Sequence, residues 1–109
     1  MADDDTPDSL SDELDDLGAD TLRALDEARR RLGDVPADVV VTNHVMGLYE
    51  LAAIHLSAQP ARLGDAVLAI DAMACLVEGL GDRLGAEASL MREALSNIRL
   101  AFVQIKGAG

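Results

Sequence analysis

The chain has 109 residues and a mass of 11.5 kDa, with 20 acidic side chains against 9 Lys and Arg, so the formal net charge is −11. Half of the residues are hydrophobic, yet only Tyr49 and Phe102 are aromatic. This composition excludes surfaces that bind sugars or bases by aromatic stacking, and the charge argues against a basic surface that binds phosphates. A single cysteine excludes a disulfide within the chain and fits a reducing compartment.

Most of the negative charge lies at the N-terminus. Residues 1–20 contain nine acidic residues and no basic one. Like charges at this density repel one another, and few apolar groups are present to offset chain entropy, so the sequence predicts a disordered acidic tail over residues 1–19. The first residues lack the basic and apolar regions of a signal peptide, and we therefore expect a cytoplasmic protein.

Leucines at helical spacing follow the start of the tail. They predict a frayed helix from about Asp8 to Leu17, an interruption at Gly18, and a firmer amphipathic helix from Asp20 to Leu32. Asp20 is the expected N-cap of the second helix, and Gly33 is placed to end it. Residues 20–35 thus form an amphipathic helix and a linker.

Three further helices are predicted over residues 36–106, which we take as the core domain. They run from about Pro36 to Ala58, from Gly64 to Leu80 and from Ala86 to Lys106, each with apolar residues at helical period. Glycines 79, 81 and 85 end the middle helix and shape its turn. No strand pattern of convincing length and no internal repeat is present. The predicted fold class is all-α, a small helical bundle with a three-helix core and an N-terminal amphipathic helix.

The helix over residues 36–58 has an apolar stripe that is wider than one face, which predicts more than one neighbour. Because three short helices make a small core, we expect a homodimer to supply the missing surface. Gly47 in the middle of this helix suggests the close approach of another backbone. A membrane span over residues 39–58 is disfavoured by Glu50 near its midpoint. The candidate interface residues are Val41, Val45, Leu48, Ala52 and Leu56.

Three polar residues of the same helix are candidate functional residues: His44, Glu50 and His55. The two histidines share a helix face, but eleven residues separate them by about 16 Å, too far to share a metal ion. They are expected to be structural or interface residues. Glu50 is expected either to face solvent or to pair with an arginine such as Arg62 or Arg99. No second group converges on it from the sequence, so no catalytic residue, metal or cofactor is predicted.

The remaining candidates have plain structural interpretations. Cys75 lies in an apolar run and is predicted to be a buried thiol. The acidic residues Asp71, Glu78 and Asp82 are predicted to form a solvated helix face. Arg29, Arg30 and Arg31 are the only basic cluster, and the acidic tail is expected to neutralise them, so no nucleic-acid binding is predicted.

Three stretches resemble a bacterial family of unknown function, domain-of-unknown-function family eighteen forty-four, in its actinobacterial members. The matching stretches are Pro36 to Leu56, Ala69 to Val77 and Leu90 to Phe102, about two thirds of the chain. They contain packing residues and no catalytic signature. The resemblance implies an all-helical cytoplasmic protein without an assigned activity. It also suggests a link to translation, since members are often encoded near translation initiation factor three and ribosomal proteins. The connection Gln59 to Gly64 is shorter than in many members.

The sequence therefore predicts a non-enzymatic helical interaction or regulatory protein. It would bury an apolar helix stripe against a partner, with a second copy as the favoured partner, and the acidic tail would select further protein partners by charge. Two alternatives remain open. One is a small enzyme with an interhelical pocket around Glu50, and the other is an acidic ribosome-associated factor.

Overall fold

The structure is a computed structural model that describes the backbone of residues 8–108 and the side chains of residues 15–108. Helix α1 spans Asp8–Asp34, α2 spans Ala37–Leu56, α3 spans Leu63–Leu80 and α4 spans Ala88–Ala108. A 3₁₀ segment over Gly81–Glu87 joins α3 to α4. No strand occurs among residues 8–108, so the predicted all-α class is confirmed. The chain divides into an N-terminal unit, Met1–Val35, and a C-terminal unit, Pro36–Gly109, which are described separately below.

Helix α1 is one continuous helix of 27 residues, and the predicted interruption at Gly18 is absent. Residues 8–19 of the predicted disordered tail are therefore helical, whereas residues 1–7 lie outside the described residues. A mid-helix glycine costs only about 1 kcal/mol relative to alanine, which one long helix can absorb. The Thr21 hydroxyl also donates a hydrogen bond to the Leu17 carbonyl across Gly18, at 2.8 Å. Asp20 consequently lies inside the helix and is not its N-cap.

The C-terminal unit is the predicted three-helix core. Its helices begin and end within two residues of the predicted bounds, because apolar residues recur at helical period along each. The core is aliphatic, and its fully buried large side chains are Met73, Met91, Val45 and Val77. Phe102 and Tyr49 are only partly buried against it.

The 3₁₀ segment, which forms the turn between α3 and α4, packs against α2. Leu84 of this segment is buried, and its carbonyl accepts a hydrogen bond from the buried Thr42 hydroxyl at 3.4 Å. Gly81 and Gly85 have positive φ angles of 53° and 82°, so these two glycines shape the turn as predicted. Gly79 instead lies within α3.

The connection between α2 and α3 is short and hydrogen-bonded. The Ser57 backbone N–H donates to the Ala53 carbonyl and ends α2, and the Arg62 N–H donates to the His55 carbonyl at 2.9 Å. The Gln59–Pro60 peptide bond is cis.

Candidate interaction surfaces

Helix α1 exposes a row of large apolar side chains. Leu17, Leu25 and Leu32 are 62%, 47% and 58% exposed. Thr21 and Ala28 lie between these leucines in the sequence. The five residues follow one another at steps of four, four, three and four, which places them on one side of the helix. We call Leu17, Thr21, Leu25, Ala28 and Leu32 the α1 stripe. A row of this kind on a helix that does not bury it in its own unit is typical of a surface that binds another helix.

The charged residues of α1 pair with one another along the helix surface. Arg23 pairs with Asp20, Arg29 lies 3.8 Å from Asp26, and Arg31 lies 3.7 Å from Glu27. All six side chains are largely exposed, so each pair contributes at most a few tenths of a kcal/mol. In the described part of the chain, Arg29 and Arg31 therefore pair with acidic residues of α1 itself, at positions 26 and 27.

The interface predicted on α2 is instead part of the bundle's own core. Val45 and Ala52 have no exposed surface and Leu56 is buried, while Val41 and Leu48 are partly buried against the same core. A second copy cannot reach Val45, Ala52 or Leu56 while the bundle stays folded. The apolar face was identified correctly, but its partners are α3 and α4 of the same chain.

The opposite side of α2 is exposed and combines apolar residues with the polar residues Asn43 and Glu50. Leu51 and Ile54 lie on it, and Ile54 is 62% exposed. Gly47 lies on the same side, and a Cβ built at this residue would have no atom within 4 Å, so no backbone of the described chain approaches it. The predicted close approach of another backbone is therefore not found within the described residues. Of the helices described, α2 alone is long and apolar enough to cross a membrane, although its buried residues belong to the core.

An apolar groove of about 350 Å³ separates the first half of α2 from the start of α4. Its walls carry Val39, Met46 and Leu90, and its floor carries the buried residues Thr42 and Met91. The polar side chains Asn43 and Glu87 lie at its edge. Sequence reasoning missed this groove because its two walls are more than 40 residues apart in the chain.

A second, more polar cavity of about 280 Å³ lies between the end of α3 and the middle of α4. Glu78, Arg92, Ser96 and Arg99 line it. The two terminal nitrogens of Arg99, Nη1 and Nη2, donate to the Glu78 carboxylate oxygens at 3.4 Å, and Arg92 donates to Asp82 at 2.7 Å. Because each arginine faces a carboxylate, the cavity offers no uncompensated charge to an anionic ligand.

The three candidate functional residues do not come together. His44 and Glu50 are exposed and His55 is half-buried. Neither of these two cavities is lined by Glu50, and Arg99 pairs with Glu78, so they give no support to the alternative of an interhelical pocket around Glu50, which stays a prediction. Residues 15–108 contain no group of three His, Cys, Asp or Glu side chains that could hold a metal ion. The buried His55 Nδ1 has no hydrogen-bond partner among these residues.

The thiol of Cys75 is exposed, which corrects the predicted burial. The buried residues of α3 include Met73 and Val77, and at 100° per residue Cys75 lies about 200° from each, on the outer side. The acidic residues Asp71, Glu78 and Asp82 are exposed as predicted, and two of them bind the arginines of α4.

Comparisons with protein-family models, with curated proteins and with solved structures found no match to this chain. The resemblance to domain-of-unknown-function family eighteen forty-four therefore stays a prediction.

Proposed function

We propose that this chain is a non-enzymatic helical interaction protein that assembles as a homodimer through the α1 stripe. The observation that carries the proposal is the exposure of Leu17, Leu25 and Leu32 along a 27-residue helix. Isolated helices are marginally stable in water, and most helical stability in proteins comes from packing an amphipathic face. A partner that covers the α1 stripe would supply this packing.

The acidic segment provides the second part of the proposed function. Residues 1–20 carry nine acidic residues, so a dimer would present two such segments to basic protein partners in the cytoplasm. The resemblance to a family encoded beside translation genes adds ribosome-associated proteins as the partners to test first.

The mass of the full chain in solution tests the homodimer. Sedimentation equilibrium at micromolar concentration is expected to give twice the chain mass of 11.5 kDa. Leu25→Asp is expected to weaken the dimer by at least tenfold, because it would place a charge in the buried stripe. Leu68→Asp is the matched control, since Leu68 is exposed on α3 in the other unit.

Two results would contradict the proposal. A wild-type chain that stays monomeric at high micromolar concentration would exclude the homodimer. A dimer that is weakened by Leu68→Asp and unchanged by Leu25→Asp would place the interface on α3 instead of α1.

A further inference from the structure

We propose that two copies of α1 pair in an antiparallel arrangement centred on Thr21, so that the acidic half of each helix lies against the arginine-containing half of the other. This inference rests on the proposed function, and it specifies the direction and the register of the dimer. The proposed pair involves only residues of α1 in the two copies.

In this register, the apolar residues of one α1 helix lie level with apolar residues of the other copy. Leu17 and Leu25 lie four residues before and after Thr21, so an antiparallel pair places Leu17 level with the partner's Leu25. Leu32 lies level with position 10 of the partner, where the sequence again has leucine. Ala28 lies level with position 14, which is leucine as well. Every stripe residue therefore lies level with an apolar position of the partner or with the partner's Thr21.

The charges of α1 select the antiparallel direction. Residues 8–20 contain six acidic residues and no basic one, whereas residues 21–34 contain four arginines and three acidic residues. A parallel pair would place the two acidic halves side by side, with all twelve negative charges along one end of the interface. An antiparallel pair places each acidic half against a half that is slightly positive. Complementary charges beside an interface set its orientation in this way.

Two arginines beside the α1 stripe lie within one helical turn of acidic residues of the partner in this register. In the antiparallel register Arg29 lies level with position 13 of the partner, within one helical turn of the partner's Asp15. Both residues lie on the same flank of the stripe by helical periodicity. Arg31 lies on the other flank, level with position 11 and within one turn of the acidic residue at 13. Arg29 is held within its own helix by an exposed ion pair of 3.8 Å. Arg31 is held by an exposed ion pair of 3.7 Å and by a hydrogen bond of 3.4 Å that its Nε donates to the Glu27 carbonyl. These contacts are weak and exposed, so both arginines remain able to reach across. Arg30 points to the side away from the stripe.

Cysteine cross-linking measures the direction of the pair. Cys75 is first replaced by serine, since its exposed thiol would react. With oxidised glutathione as the oxidant, Thr21→Cys in this background is expected to form a disulfide between the two copies, because the two copies of position 21 face each other. Leu32→Cys is expected not to cross-link, because the two copies of position 32 would lie about 33 Å apart in the antiparallel pair.

Charge exchange measures the register. Arg29→Asp is expected to weaken the dimer about tenfold, since two symmetry-related pairs are lost and become repulsive. Adding Asp15→Arg to the same chain should restore the dissociation constant to within about threefold of the wild type. Arg30→Asp is the matched control, because it makes the same charge change on the back of the helix and should leave the dissociation constant within about twofold.

The outcomes separate this inference from the proposed function. Equal cross-linking at positions 21 and 32 would indicate a parallel pair and overturn the inference, while the homodimer would stand. A dimer that cross-links at neither position, or that shows no rescue by Asp15→Arg, would also overturn the inference alone. A monomeric wild-type chain would overturn both.

Discussion

Gly85 is the residue whose backbone most strongly restricts the sequence. Its φ of 82° and ψ of −146° lie in a region that is essentially open only to glycine. A Cβ at this residue would also overlap the Asp38 carboxylate and lie 3.1 Å from its Cγ. We expect Gly85→Ala to lower the free energy of unfolding by about 2–3 kcal/mol, measured by urea denaturation.

Two variants separate the causes at Gly85. In an Asp38→Ala background the overlap with the carboxylate is absent, so the remaining cost of Gly85→Ala measures the backbone conformation alone. Gly79→Ala is the control for the substitution itself, because Gly79 lies in α3 with nothing within 4 Å of its Cβ position. Equal urea midpoints for wild type and Gly85→Ala would contradict the described turn.

Gly47 leads to the opposite expectation. It lies in the middle of α2 with open space at its Cβ position, so the glycine weakens the helix without permitting a close contact in the chain. Gly47→Ala should raise the free energy of unfolding by about 0.5–1 kcal/mol through helix propensity, with the dimer mass unchanged. The measurement is the urea midpoint together with sedimentation equilibrium. A loss of the dimer in this variant would place a close helix contact at Gly47 and contradict an interface confined to α1.

At the scale of the helices, periodicity predicted where α2, α3 and α4 lie and which face of each is apolar. It could not predict which neighbour covers a face, because the same stripe results from packing within a chain or between chains. Val45, Ala52 and Leu56 were assigned to a dimer interface for this reason, and they pack in the core. Cys75 was assigned to the core from the apolar run around it, although its angle on the helix places it outside.

The interhelical features could not be predicted from the sequence at all. The pairing of Arg99 with Glu78 and of Arg92 with Asp82 depends on how α4 packs against α3 and the 3₁₀ segment. The groove lined by Met46 and Leu90 likewise depends on how α2 and α4 pack together. In α1, Gly18 predicts a break that the helix does not have, because the glycine costs only about 1 kcal/mol, which is small beside the cost of ending and restarting a helix.

At the scale of the whole molecule, the proposed function depends on charge to select partners. The net charge of −11 is concentrated in residues 1–20, which hold nine acidic residues. In the proposed antiparallel pair, some of these acidic residues would lie near Arg29 and Arg31 of the other copy. The acidic residues before position 8 would remain to bind other proteins. Partners recruited in this way should carry clusters of lysine and arginine, and their binding should be weakened by salt because salt screens the attraction between opposite charges.

Affinity capture with ribosomal proteins as the defined probe tests this expectation. The bait is the full chain, and the matched variant replaces Asp3, Asp4 and Asp5 by asparagine, which removes three charges outside α1. We expect the wild type to retain basic ribosomal proteins at about 0.05 M salt and to lose most of them at about 0.5 M, where the Debye length falls to a few ångströms. The variant should retain less at low salt while its dimer mass stays that of the wild type. Retention that is equal for both baits and insensitive to salt would mean that the apolar surfaces of the C-terminal unit, and not the acidic segment, select the partner.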